Sequence, residues 1–160
     1  MDYKEIITDI RKIVRSINLE SKRILKDFGV SIPQLLCLTY LSKQEEYQLT
    51  HRQLVQHLHL NSSTVTGIVN RLEKKGYIAR LPKKGDKRVT NIAITAAGIK
   101  VVESTPDLLH EKLSKHLQQL PDAQVKQIKK SLDLLIDVLG IRELDASPLL
   151  ILEDPLPPEE

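Results

Sequence analysis

One short segment of the chain, residues 62–76, has hydrogen-bonding side chains on one face and aliphatic side chains on the other. The aliphatic residues recur at the spacing of a helix buried on one side, and they are Val65, Ile68, Val69 and Leu72. The opposite face is short and polar; it comprises Ser63, Thr66, Gly67, Asn70 and Lys74, with Ser62 and Thr64 near the start. Small hydrogen-bonding groups on a protruding helix suit the base edges in the major groove of DNA, so the segment predicts recognition chemistry.

Positive charge is concentrated in and beyond this segment. Residues 61–90 contain eight lysines and arginines against two acidic residues, a net charge of +6, although the whole chain carries only +3. Residues 142–160 hold one base against six acids, a net charge of −5. A basic cluster beside a polar helix is the electrostatic signature of a protein that binds a polyanion. The alternative is a solvated surface without a partner.

The residues before the polar segment predict a second helix that packs beside it. Thr50 and Gln53 form a capping-box pattern, the signal for the start of a helix. A link of three residues, 59–61, then leads directly into the polar segment. Two short helices joined so tightly indicate a helix-turn-helix.

The residues after the polar segment predict a β-hairpin. Residues 77–81 and 88–94 are the candidate strands, and the second alternates apolar and polar residues. Residues 82–87 have the composition of a turn, with a proline, a glycine and three lysines. We therefore expect a wing with a basic tip. A further helix is expected over residues 96–120, with Pro106 inside it.

The two ends of the chain predict helices whose apolar surface is too wide for the central domain to cover. Residues 3–28 form the first, which ends at Gly29, and Ser31 with Gln34 caps the next. The final helix has a seam of aliphatic residues spaced by three and four: Val125, Ile128, Leu132, Leu135 and Leu139. The simplest way to bury these faces is pairing across a two-fold axis, so a homodimer is expected.

These elements together define the expected fold class and its organisation. The fold is mainly α with a small β-wing, a winged helix-turn-helix flanked by N- and C-terminal dimerisation helices. We assign residues 31–95 to the winged helix-turn-helix and residues 1–30 and 96–140 to the helical dimerisation region. Residues 141–160 are an acidic, proline-rich tail with an unexplained apolar stretch.

Three pieces of the chain, in this order and spacing, resemble the MarR (multiple antibiotic resistance regulator) family of winged-helix regulators. LTHRQLVQHLHL is similar to the first helix of the helix-turn-helix, and NSSTVTGIVNRLEKKGYIAR to the recognition helix and first wing strand. GDKRVTNIAITAAG is similar to the D-x-R wing motif and the strand and helix start that follow it. The resemblance in element order covers roughly residues 3–139 and is sharpest over residues 49–98.

The resemblance implies a sequence-specific regulator that binds double-stranded DNA as a homodimer, most simply a repressor on a pseudopalindromic operator. Its recognition-helix contacts to DNA would be Ser62, Ser63, Thr64, Thr66, Asn70 and Arg71. Arg88 would enter the minor groove from the wing, where a narrow groove concentrates negative potential. Lys83, Lys84 and Lys87 would contact phosphates, and Arg80 would pair with Asp86 to shape the wing.

Two residues depart from the family pattern. Gly67 stands where such helices often carry a longer side chain, and it costs the helix about 1 kcal/mol relative to alanine. Gly67 either lets the helix backbone approach the DNA groove or is a substitution without functional effect. His59 replaces the glycine common in the turn, and histidine enters positive-φ geometry more readily than most residues, so the turn is expected to form.

Sensing chemistry has less support in the residues. Cys37 is the only cysteine and lies in an apolar run with no nearby base, which favours a buried thiol over a redox sensor. The five histidines lack the i, i+4 pairing of a helical zinc site, which favours surface roles over metal sensing. The resemblance to the family implies a small-molecule effector site. Its candidate lining residues are Ile13, Ile17, Tyr40 and Tyr47, and each could instead pack in the hydrophobic core.

Other functional classes are disfavoured or left as alternatives. No set of nucleophile, base and orienting group, no phosphate loop and no carboxylate pair indicates an enzyme or a cofactor. A winged helix can instead bind an acidic protein, and that alternative stays open. No apolar run has the length of a membrane span and the N-terminus lacks the pattern of a secretory signal, so a cytoplasmic protein without a membrane partner is expected.

Overall fold

The computed structural model describes residues 2–83 and 86–144, except for the side chains of residue 83 and residues 86–89. Within these ranges the chain forms seven helices and three strands. They are α1 (Tyr3–Phe28), α2 (Ile32–Ser42), β1 (Gln48–Thr50), α3 (His51–Leu58), α4 (Ser62–Lys74), β2 (Ile78–Lys83), β3 (Asp86–Ile94), α5 (Ala96–Ser104), α6 (Leu109–Leu117) and α7 (Asp122–Leu139). The described residues divide into two compact units, 2–106 and 107–144.

The first unit has a three-stranded antiparallel sheet in the order β1-β3-β2. The β2–β3 hairpin is the expected wing, and its last described pair joins Lys83 to Asp86, so both strands extend further toward the tip than the sequence predicted. Strand β1 was not predicted. It pairs Leu49 with Ile92 and buries Leu49, which anchors the base of the wing to the loop before α3.

Local capping chemistry sets the helix boundaries as expected. Ser31 and Gln34 form a reciprocal capping box at α2, and Thr50 and Gln53 form another at α3. Gly29 ends α1 in the left-handed conformation at φ 69°. His59 ends α3 with φ 53° and ψ 37°, which confirms that histidine adopts the geometry for which glycine is usual in this turn.

The hydrophobic core of the first unit lies around α2, which is buried along most of its length. The aliphatic stripe of α4 is buried as predicted, and Val65, Val69 and Leu72 are fully inaccessible. Leu54 and Leu58 of α3 are equally buried. Because α3 and α4 each bury one face, their orientations are fixed by packing and the outer face of α4 is held in a set position.

The helix expected over residues 96–120 is interrupted. Helix α5 ends at Ser104 and α6 begins at Leu109. Pro106 explains the break because proline disfavours helical geometry in the preceding residue, and Thr105 is extended, with φ −86° and ψ 132°. The interruption coincides with the boundary between the two compact units, 2–106 and 107–144.

Gly98 lies where the start of α5 meets the end of the turn before β2. A β-carbon at Gly98 would stand 2.3 Å from the carbonyl oxygen of Tyr77 and 2.7 Å from Cγ1 of Ile94. Thr95 fixes this approach, since its backbone N–H donates to the same Tyr77 oxygen at 3.0 Å. The glycine is therefore required by close backbone contact.

Gly98→Ala is expected to lower the free energy of unfolding by about 2–3 kcal/mol because the clash is with backbone and cannot relax by a rotamer change. The matched control is Gly67→Ala in α4, where a β-carbon has no neighbour within 4 Å. That variant should raise the stability by about 0.5–1 kcal/mol through helix propensity. Urea unfolding at one protein concentration measures both, and equal midpoints for the two variants would contradict the contact at Gly98.

Candidate nucleic-acid interface

Helix α4 presents the predicted recognition residues on its outer surface. Ser62, Ser63, Thr66, Asn70 and Arg71 are exposed, whereas Thr64 is half-buried. Since the opposite stripe is fixed in the core, the exposed residues form a rigid polar face that can approach a partner. We call this surface the α4 face.

Asn61 organises the start of the α4 face. Its Oδ1 accepts from the backbone N–H of Thr64 at 2.8 Å, the side-chain cap of the helix. The same oxygen accepts from the hydroxyl of Ser63, also at 2.8 Å. Asn61 is the last residue of the link predicted over residues 59–61, and its capping role could have been predicted from the preference of asparagine for helix starts.

Thr66 is held at the centre of the α4 face by two hydrogen bonds. Its hydroxyl donates to the carbonyl of Ser62 at 2.9 Å, and Nε2 of His51 lies 3.1 Å from the same Oγ1. His51 is the first residue of α3, fifteen positions earlier in the chain. This contact between the two helices has no signal in the sequence, and His51 was missed as a member of the site.

Arg80 joins the base of the wing to the end of the α4 face. Its guanidinium donates to the carboxylate of Glu73 and to Oδ1 of Asn70. The ion pair matters for the charge of the surface because Glu73 lies seven residues after Thr66, on the same side of the helix. Glu73 is one of the two acidic residues counted in residues 61–90, but its pairing with Arg80 was not predicted. Its pairing with Arg80 offsets a negative charge that would otherwise repel phosphate.

The predicted pairing of Arg80 with Asp86 involves a side chain outside those that the structure describes, and it stays a prediction. The same holds for the wing cations. Lys83 ends β2, and Lys87 and Arg88 lie in the first three residues of β3, but their side chains are not among those described. Lys84 lies outside the described residues altogether.

One basic residue of this region has a different role. Lys75 follows α4, and its ammonium donates to the carbonyl of Gly29 at the end of α1. A cation at this position satisfies a terminal carbonyl and complements the helix dipole. Lys75 therefore ties α4 to the end of α1, and its charge is partly engaged there.

The candidate sensing residues do not come together in the described part of the chain. The thiol of Cys37 is fully buried, and burial raises its pKa to about 12, so the reactive thiolate is suppressed at neutral pH. No cluster of three potential metal ligands exists among residues 2–83 and 86–144. The ring of His57 stacks at a tilt on Tyr40, 5.1 Å between centroids.

Two open grooves are lined by other residues than the suggested effector residues Ile13, Ile17, Tyr40 and Tyr47. An open groove of about 540 Å³ runs along α1 and is lined by Ile10, Arg11, Val14, Arg15, Asn18, Leu19 and Lys22. Another, of about 440 Å³, lies in the second unit around Leu113, Leu117 and Val125. In the described part of the chain no single helix is long and apolar enough to cross a bilayer; only α1 and α2 combined, with a 70° bend, have the composition for one.

The chain is similar to known regulators in sequence. The profile of the MarR family matches residues 30–90. The organic hydroperoxide resistance transcriptional regulator of Bacillus subtilis is 30% identical over 125 residues, which cover 78% of this chain and 82% of that protein. The HTH-type transcriptional repressor IacR of Pseudomonas putida is 26% identical over 71% of this chain and 67% of its own length.

Similarity to solved structures extends over most of the chain. The crystal structure of the Staphylococcus aureus MepR–DNA complex superposes with a TM-score of 0.63 at 25% identity, covering 86% of this chain and 98% of that one. The same S. aureus protein in its DNA-binding conformation gives a TM-score of 0.60 at 26% identity, over 87% of this chain and 99% of that one. Both superpositions show that the chain shares the fold of that protein.

Proposed function

Because the chain belongs to the MarR family of winged-helix transcriptional regulators, we propose that it is a homodimeric repressor of a pseudopalindromic DNA operator. It acts in the cytoplasm and a small ligand or another environmental signal modulates it. Membership of a family of regulators also supports the expectation of a non-enzymatic role. The P. putida relative named as a repressor and the DNA complex of MepR support repression and DNA binding here.

The single observation that carries this proposal is the rigid, exposed α4 face. Its small polar side chains stand on a helix whose other side is locked into the core. A helix in this presentation fits the major groove, and Ser63, Thr66 and Asn70 are the residues we assign to base edges. Ser62, Thr64 and Arg71 then contact the flanking backbone or bases.

The dimer is supported by the apolar surfaces that α1 and α7 expose. On α1 the exposed aliphatic residues include Ile6, Ile7, Ile13 and Val14, and on α7 they include Ile128, Leu132, Leu134, Val138 and Leu139. Monomeric proteins rarely expose so many apolar side chains on one element. Pairing two copies across a two-fold axis would cover them and set two α4 helices about 34–36 Å apart, one turn of DNA.

The wing supplies the second group of contacts in this proposal. Arg88 enters the minor groove beside the major-groove contact, where the potential is most negative. Lys83, Lys84 and Lys87 contact phosphates, which add affinity without sequence preference. Asp86, as the partner of Arg80, would help to hold the wing in shape.

Replacing both Lys83 and Lys84 with alanine should weaken binding to operator and to unrelated duplexes alike. Each lost phosphate contact removes about 0.9 from the slope of log K against log salt, so the pair removes about 1.8 for each protomer. Fluorescence titrations between low and physiological salt measure the slope. The matched control, Lys126→Ala with Lys130→Ala on α7, makes the same charge change in the other compact unit and should leave the slope unchanged. A loss confined to the operator would contradict the phosphate assignment.

Selection from a library of randomised duplexes at physiological salt tests the function itself. The proposal expects the purified chain to enrich one motif with two-fold symmetry. The alternative, a winged helix that binds an acidic protein, expects retention of no duplex above the level of non-specific binding. Enrichment of a symmetric motif would exclude that alternative, and its absence would exclude the proposed function.

A further inference from the structure

The hydrogen bonds within the α4 face fix which of its residues can donate and which can accept. We propose that Ser63 and Thr66 act on DNA as acceptors and that Asn70 presents the N–H end of its amide, so that each half-site is read at two amino groups and one keto group. His51, Asn61 and Arg80 are the positioning residues that impose this polarity. The inference rests on the proposed function and goes further by stating what kind of base each residue selects.

Ser63 is an acceptor because its only hydroxyl proton is already used. The orientation of the Asn61 amide is unambiguous, since its Oδ1 accepts from the backbone N–H of Thr64. The Ser63 hydroxyl, 2.8 Å from this oxygen, must therefore be the donor. The Oγ atom of Ser63 is therefore left with a lone pair that can accept a hydrogen bond from DNA.

Thr66 is an acceptor for the same reason. Its hydroxyl proton goes to the carbonyl of Ser62, which can only accept. Nε2 of His51 must then carry a hydrogen and donate to Oγ1, at 3.1 Å. One lone pair of Thr66 is left on the exposed side of α4, and His51 prevents the hydroxyl from turning to donate.

Asn70 presents hydrogen-bond donors, whereas Ser63 and Thr66 present acceptors. A guanidinium has no acceptor, so the contact with Arg80 requires Oδ1 of Asn70 to face Arg80. The amide N–H groups then point away, and no described residue accepts from them. Arg80 is itself held by Glu73, which keeps the amide in this orientation.

This arrangement disfavours the usual way in which asparagine reads DNA. Asparagine normally binds adenine with both amide atoms, accepting from N6 and donating to N7. Here Arg80 holds the Oδ1 end of the amide and the N–H groups point away from it, so Asn70 should prefer guanine or thymine, which present keto acceptors in the major groove. Ser63 and Thr66 should prefer the amino groups of adenine or cytosine. The rise of 1.5 Å per residue places Asn70 about 6 Å beyond Thr66 along the helix.

Selection from randomised duplexes with the parent chain and Arg80→Met tests the donor assignment. Methionine keeps the apolar length of the side chain and removes the guanidinium, which lets the Asn70 amide turn both Oδ1 and its N–H groups to a base. We expect one position in each half-site to change from guanine or thymine to adenine by about tenfold, while the other positions keep their preference. Circular dichroism and the duplex affinity establish that this variant is folded.

A second pair of variants tests the acceptor assignment without touching Arg80. Thr66→Val keeps the shape of the side chain and removes the lone pair, so one amino-base preference should be lost. Thr66→Ser keeps the hydroxyl and should keep that preference.

The proposal is overturned if Arg80→Met and Thr66→Val select the same bases as the parent. In that case the motif of the parent still supports the proposed function, so the two failures are distinguishable. A parent chain that enriches no motif overturns both.

Discussion

Leu132→Glu is expected to convert the protein from dimer to monomer and to weaken operator binding at least about a hundredfold. Leu132 lies in the aliphatic seam of α7, and half of its side chain is exposed within one protomer. In the proposed dimer the new carboxylates would be buried without partners on both sides of the two-fold axis, which is strongly unfavourable. A monomer carries one recognition helix, and loss of the second removes an avidity of about 10²–10⁴.

Sedimentation equilibrium and operator titration measure the two effects on the same sample. Lys126→Gln is the matched control because it makes the same change of charge at an exposed position of α7 away from the aliphatic residues of that helix. It should leave both the mass and the affinity unchanged. If Leu132→Glu stays dimeric with parental affinity, the interface does not include the seam of α7.

Arg88→Ala is expected to leave the fold intact and to weaken operator binding by about 10²–10⁴-fold. A hydrogen-bonded charged contact is worth about 1.5–3 kcal/mol, and a dimer has two wings on each operator. The backbone of Arg88 lies in β3, two residues after the last described pair of the hairpin, Lys83 with Asp86. Titration at matched salt measures the loss.

The neighbouring substitution Lys87→Ala separates a specific contact from a general charge effect. It removes the same unit of charge one residue away, and it should weaken all duplexes moderately and alike. Arg88→Ala should instead reduce the ratio of operator to non-specific affinity. Parental operator affinity for Arg88→Ala would show that the wing assignment is wrong.

The parts of the fold that the sequence predicts are those set by local chemistry. The capping boxes of Ser31 and Thr50 start their helices because the signals lie within four residues of each other. The positive φ at His59 and the buried stripe of α4 likewise depend on short-range pattern. These are the features that orient the α4 face, so the position of the candidate site follows from the sequence.

The parts that were missed depend on distant residues. Strand β1 has three residues and exists because Leu49 finds Ile92 of β3, a partner more than forty positions away. The contact of His51 with Thr66 and the bridge of Arg80 to Asn70 and Glu73 also join different elements. Contacts between residues of different elements leave no periodic pattern in the sequence, so they could not be predicted from residue spacing. They nevertheless decide the donor and acceptor character of the recognition surface.

Hydroxyl-radical footprinting of the full chain on its selected operator shows whether a dimer reads DNA through two α4 helices. We expect two protected stretches related by two-fold symmetry, with centres about 34–36 Å or 10–10.5 base pairs apart, and minor-groove protection beside each. Arg88→Ala should remove only the minor-groove protection. A single protected stretch, or no protection at concentrations that saturate the duplex, would contradict the proposal of a dimer that reads DNA through α4.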